Sequence, residues 1–212
     1  SFADVLGDSP RAREMRAEVG EIYETQLNDT ARAGDAYAKV LVDDPAHVKA
    51  GDGMARIAES TGDFETLAGI LEQRAETARG KEKVEALLRI AELFEDQLGD
   101  LKEAEARFEA VLEAAPDQAD ALKGLDRIYN RTSKYRELLA NLERQVATAP
   151  TPRQKINLYE RMASLHEEEF LDHGKAAECL ESLLALDATN DGALTKLERH
   201  CRALGRWDHL QE

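Results

Sequence analysis

The residue types that most often carry chemistry are sparse in this sequence. His166-Glu167-Glu168-Glu169-Phe170 opens like H-E-x-x-H, where two histidines one helical turn apart hold zinc. Phe170 takes the place of the second histidine, and His173 follows only after an expected turn at Asp172. The segment therefore reads as a charged helix surface. His200, Cys201 and His209 offer soft ligands. The repeat register described below sets Cys201 level with Ala58 and Tyr129 on a core face, so no metal and no cofactor is expected. Cys179 aligns with Ala36 and Arg107 and reads as a thiol at the core edge, and His166 aligns with Tyr23 and Phe94 and reads as a packing histidine. There is no Gly-rich phosphate loop and no G-x-S-x-G elbow. The chain is not expected to be an enzyme.

Charge carries more information. Lys and Arg total 28 against 43 Asp and Glu, a net charge of −15. That balance opposes nucleic-acid binding, which rests on cation–phosphate contacts, and it opposes docking on an anionic membrane. No run approaches the roughly 18 apolar residues of a spanning helix, so a soluble protein is expected, with the cytoplasm as default location. Two cysteines are too few for a disulfide scaffold. No signal-peptide pattern is visible, and the first residue is Ser1 rather than Met.

The elements that must position these residues read as helices from end to end. Ala, Leu, Glu, Lys, Arg and Gln dominate between Pro10, Pro45, Pro116, Pro150 and Pro152. Leu87, Ile90, Ala91, Phe94 and Leu98 fall on one helical face. Gly99-Asp100 breaks that pattern, and Asp100 is placed to cap the next helix, which carries Ala104, Phe108, Val111 and Leu112. Helices joined by so short a turn pack antiparallel.

The pattern repeats. QLND at Gln26 returns as QLGD at Gln97, and VLVDDP at Val40 as VLEAAP at Val111, both 71 residues on. A third copy follows at 72: Ile90-Ala91 becomes Met162-Ala163, Ala104 becomes Ala176, and Tyr135 becomes Trp207. Each block holds two helical hairpins, with blocks at approximately 11–81, 82–152 and 153–212. Longer connections are expected around Gly80 and Pro150–Pro152. Phe2–Leu6 reads as the tail of a preceding helix, and the last hairpin stops early. The expectation is a single solenoid over 1–212 that is a segment of a longer array, with end-to-end self-association possible in principle through its open ends.

Segment Leu87–Pro116 resembles a tetratricopeptide repeat. Leu87, Ile90-Ala91, Phe94, Gly99-Asp100-Leu101, Ala104, Phe108, Val111 and Pro116 follow that family's order of large, small, aromatic, turn, Ala, aromatic and Pro positions. Val19-Gly20, Tyr23, Ala33, Tyr37, Val40 and Pro45 match in the first copy; Met162-Ala163, His166, Ala176, Leu180 and Ala188 match more weakly in the third. In the second hairpins Leu67, Leu138 and Leu210 replace a small residue of the family pattern. The resemblance implies an all-α fold, a right-handed superhelical α-solenoid of antiparallel hairpins, and a protein or peptide partner. A half-a-tetratricopeptide likeness would point to RNA-processing assemblies, which the acidic balance does not support.

The resemblance also implies that the first helix of each hairpin lines a concave ligand-binding face. Its stripe carries Glu14, Glu21, Glu24, Glu85, Glu92, Glu95, Glu160 and Glu167 in the first hairpins. In the second hairpins it carries Lys49, Arg56, Lys123, Arg127, Arg199 and Arg202. Two readings stand. Adjacent ribs pair internally, as Glu21 with Arg56 and Glu92 with Arg127, or the arginines hold carboxylates of a partner segment. A chaperone-tail clamp is not expected, since Ala17 and Glu21, or Leu88 and Glu92, stand where it needs Lys and Asn. The expected function is a non-enzymatic protein–protein interaction scaffold; the alternative is an architectural spacer without a groove ligand.

Overall fold

The computed structural model describes residues 9–205. Phe2–Leu6, Trp207, His209 and Leu210 lie outside them. The described residues form α1 (Pro10–Thr25), α2 (Thr30–Asp43), α3 (Val48–Thr61), α4 (Phe64–Thr77), α5 (Gly80–Leu93), α6 (Leu101–Ala114), α7 (Ala119–Arg131), α8 (Tyr135–Thr148), α9 (Pro152–Glu168), α10 (His173–Leu184) and α11 (Asp191–Leu204). A π-helical turn, Phe94–Leu98, extends α5. The fold is an all-α solenoid of antiparallel hairpins, in which helices pack chiefly on their neighbours in sequence.

The helix ends repeat with the sequence. Asp29, Asp100 and Asp172 cap α2, α6 and α10, each accepting backbone N–H groups of the first turn. The residue before each of these caps has a left-handed φ: Asn28 at 50°, Gly99 at 67° and Leu171 at 52°. Gly62, Ser133 and Gly205 do the same at the turns of the second hairpins, at 75°, 54° and 69°. Pro10 and Pro152 open α1 and α9, where a missing N–H costs nothing.

The connections differ from expectation at two places. Only Ala78-Arg79 separates α4 from α5, and only 149–151 separates α8 from α9. The helices are longer at their starts than the apolar pattern shows. Gly80-Lys81-Glu82-Lys83 adds a solvated first turn with no apolar side chain to mark it.

Packing divides the chain into two compact units, one up to Ala115 and one from Pro116 onward. In the first, α1 to α6 pack in order, and α1 also touches α3. Its first core centres on Tyr37, with Ala17, Ala33, Val40 and Ala50 all fully buried around it. A Cβ at Gly20 would stand 2.6 Å from the Tyr37 ring and one at Gly53 2.2 Å, so α1 and α3 close on that ring only as glycines. In the second unit α7 to α11 pack in order. Leu122, Leu125, Ile128, Leu138, Leu142, Leu180 and Leu183 form its buried interior. Leu67 and Leu138, at the small position of the family pattern, are both buried.

Candidate interaction groove

In the first unit, α1 and α3 border a cavity of about 410 Å³. Glu14 and Glu21 line it from α1, and Val48, Lys49, Asp52 and Arg56 from α3. Three of the expected site residues, Glu21, Lys49 and Arg56, are thus brought together. Their pairing is not the expected one. Lys49 Nζ stands 2.7 Å from Glu21, while Arg56 reaches one turn further along α1. Its Nε and Nη2 donate to the two oxygens of Glu24 at 2.7 and 2.8 Å. The Tyr37 hydroxyl donates to Glu24 at 2.8 Å from below. Helical rise explains the correction: Glu24 is one turn from Glu21 on the same face, and there it meets both Arg56 and the ring packed between the glycines.

The electrostatics follow from these contacts. The Arg56 guanidinium holds the Glu24 carboxyl below its ordinary range, burial opposes it, and the Tyr37 hydroxyl adds to the lowering. Burial and the Glu24 carboxylate push the Tyr37 hydroxyl up, and Glu24 pushes Arg56 up. Glu21 raises Lys49. At the groove's end His47 Nδ1 accepts from the Ala50 N–H at 3.3 Å. Nε2 therefore carries the proton, and it faces Glu14 at 3.2 Å.

The second unit repeats part of this arrangement. Arg199 Nη2 donates to both oxygens of Glu167 at 2.5 and 2.6 Å, the same 32-residue spacing as Glu24 to Arg56. Lys196 meets Glu160 at 3.1 Å. Leu180 takes the place of Tyr37, so no hydroxyl reaches the carboxylate. Instead, buried His200 lies 3.5 Å from Glu167 through Nε2 and 3.0 Å from His173 Nδ1 through its own Nδ1. Burial lowers His200. Lys123 turns to Asp120 within α7 at 3.4 Å, and Arg202 pairs with Glu198 within α11. Arg127 is exposed on α7, and Glu92 is exposed on α5 with no ion-pair partner among the described residues.

Sequence reasoning passed over Tyr37 and His47 as groove residues. A signal for the first was present: a tyrosine level with Phe108 and Leu180 carries a hydroxyl that a core position does not need. Cys201 and His166 are buried as their register requires, and the His166 ring meets Phe170 in a tilted contact with centroids 5.9 Å apart. Among the described residues no three His, Cys, Asp or Glu side chains converge on one point.

Residues 85–117 match the family model for the tetratricopeptide repeat, which spans most of α5, the π turn and α6. One segment is thus similar to the tetratricopeptide repeat, and the fold is TPR-like. The C-terminal part of a TPR repeat-containing protein from Cytophaga hutchinsonii superposes with a TM-score of 0.50 at 16% identity, over 87% of this chain and 73% of that one. YrrB, described as a TPR protein with an unusual peptide-binding site, gives 0.48 at 13% identity over 85% and 89%. MamA gives 0.48 at 18% identity over 87% and 97%. No curated protein sequence matches the TPR-like chain. No helix among the described residues is long and apolar enough to cross a membrane.

Proposed function

We propose that this TPR-like chain is a non-enzymatic protein-interaction scaffold, and that a partner segment of mixed charge lies along the face made by the first helices. The α1/α3 groove supports the reading best. It sets an acidic and a basic row side by side, and it exposes Val48 (72% accessible) between them as an apolar contact. Internal pairing leaves capacity for a guest. Glu24 engages only Nε and Nη2 of Arg56, a guanidinium has five N–H donors, and the Arg56 side chain is 54% exposed. A partner carboxylate takes the remaining donors while the Glu24 pair holds the arginine in place.

A photo-crosslinking residue tests this. Placed at Val48, it should capture a defined partner that the same residue at exposed Val42, on α2, does not. Arg56→Glu should abolish that capture while leaving the helical circular-dichroism signal intact. Equal capture at both valines, or capture indifferent to Arg56→Glu, removes the groove from consideration.

A further inference from the structure

Each unit has a cavity built by helices in the same repeat positions, and the two copies differ in one telling way. In the first unit Glu72 on α4, Leu87 and Ile90 on α5 and Arg107 on α6 enclose about 250 Å³. Arg107 occupies the seat: its Nη2 donates to Glu72 at 2.6 Å, and Glu103 stands 3.5 Å away. In the second unit the corresponding residues are Glu143 on α8, Tyr159 and Met162 on α9 and Cys179 on α10. With a cysteine in place of the arginine, the cavity opens to about 650 Å³. Glu143 keeps its position but has no ion-pair partner among the described residues, and its charge is felt by both His166 and Cys179.

Two further observations point to a missing guest. His166 lines the cavity, is 7% exposed, and its buried Nδ1 has no hydrogen-bond partner. An orphaned buried nitrogen of this kind is costly unless something completes it. The walls also carry aromatic rings where the first copy has leucines, with Tyr159 for Leu87 and Phe170 for Leu98. The charges around the opening are Glu143, Asp172 and Glu178 against Arg136 and Lys175, so the balance is negative even with both cations counted.

We propose that this cavity between α8, α9 and α10 receives an arginine side chain of a partner protein, which supplies from outside the guanidinium that Arg107 supplies from within. Glu143 accepts its N–H groups as Glu72 does in the first unit, His166 Nδ1 accepts a further one, and the aromatic rings flank the planar cation. The site belongs to the second unit, shares no residue with the α1/α3 groove, and stands or falls independently of it.

The probe is the tripeptide acetyl-Gly-Arg-Gly-amide, titrated at low ionic strength and followed by the NMR shifts of backbone amides and the His166 ring. Saturable shifts confined to α8, α9 and α10 are expected. Cys179→Arg refills the seat internally and should weaken binding at least tenfold; Glu143→Gln should weaken it with less demand on refolding. The citrulline analogue, uncharged but of the same shape, should not bind. The idea is overturned if no saturable shift appears, if both variants bind as the parent does, or if the citrulline, lysine or aspartate tripeptide binds as well.

Discussion

Leu171 is a leucine in the left-handed region, at φ 52°, with its side chain 76% exposed and contributing little to the core. Its counterpart Gly99 takes the same conformation without a Cβ. An L-residue in this region is strained by about 1–2 kcal/mol, partly offset by the greater unfolded-state freedom of glycine. Leu171→Gly should therefore raise stability by about 0.5–1 kcal/mol, read as a higher midpoint in urea with an unchanged slope. Tyr37 and Glu24 work in the opposite sense. Tyr37→Phe copies Phe108, keeps the ring between the glycines and removes only the hydroxyl, so a loss of about 0.5–1.5 kcal/mol is expected. Glu24→Gln tests the carboxylate itself. Because Arg56 holds the Glu24 carboxyl low, its contribution is complete above the unfolded value and disappears as the pH falls through the folded one. The variant should be less stable than the parent at neutral pH, and the gap should close in acid. A constant gap across that range would mean that the ion pair contributes nothing.

The two helices of one hairpin differ in how closely other groups approach them, and the glycines report this. Gly53 on α3 touches Tyr37, whereas Gly69 on α4 has nothing within 4 Å of an added Cβ. Gly53→Ala should cost about 1–3 kcal/mol through overpacking, and Gly69→Ala, which imports Ala140 of the next copy, should add about 0.5–1 kcal/mol of helix stability. Thermal melts of the two variants should move in opposite directions. The element scale is also where the sequence was most legible. The repeat register placed the Gly99-Asp100 turn with its Asp100 cap, the turn at Asp172 and the core faces, because those depend on local geometry that recurs with the residues. It did not place the start of α5, whose first turn carries no apolar mark. Nor did it show the π turn at Phe94–Leu98, since the same register in α9 stays α-helical through Glu168. The Glu24–Arg56 pair was hidden for another reason. Glu21 and Glu24 share a face, and only the distance between α1 and α3 decides which one the arginine reaches. The repeated 32-residue spacing was the available clue.

At the scale of the molecule, the two units share a pattern but not their buried titratable rings. Both buried histidines lie in the second unit. Burial lowers His166, with Lys175 adding to it and Asp172, Glu143 and Glu178 opposing. Burial also lowers His200, against the raising effect of Glu167 and with Arg199, His173 and Lys196 acting the same way as burial. A base held below its ordinary value of 6.5 is protonated more readily in the unfolded chain. Its contribution is therefore complete above pH 6.5 and is lost as the pH falls toward and through the folded value. The described histidine of the first unit, His47, is half-buried and faces Glu14. Hydrogen exchange compared at pH 7 and pH 5.5, corrected for intrinsic rates, should show α9, α10 and α11 losing protection while α1 to α4 keep theirs. His166→Phe, which restores the residue found at 94, should remove part of that loss. Uniform loss across both units would mean that acid acts through the carboxylates common to the whole chain rather than through these two rings.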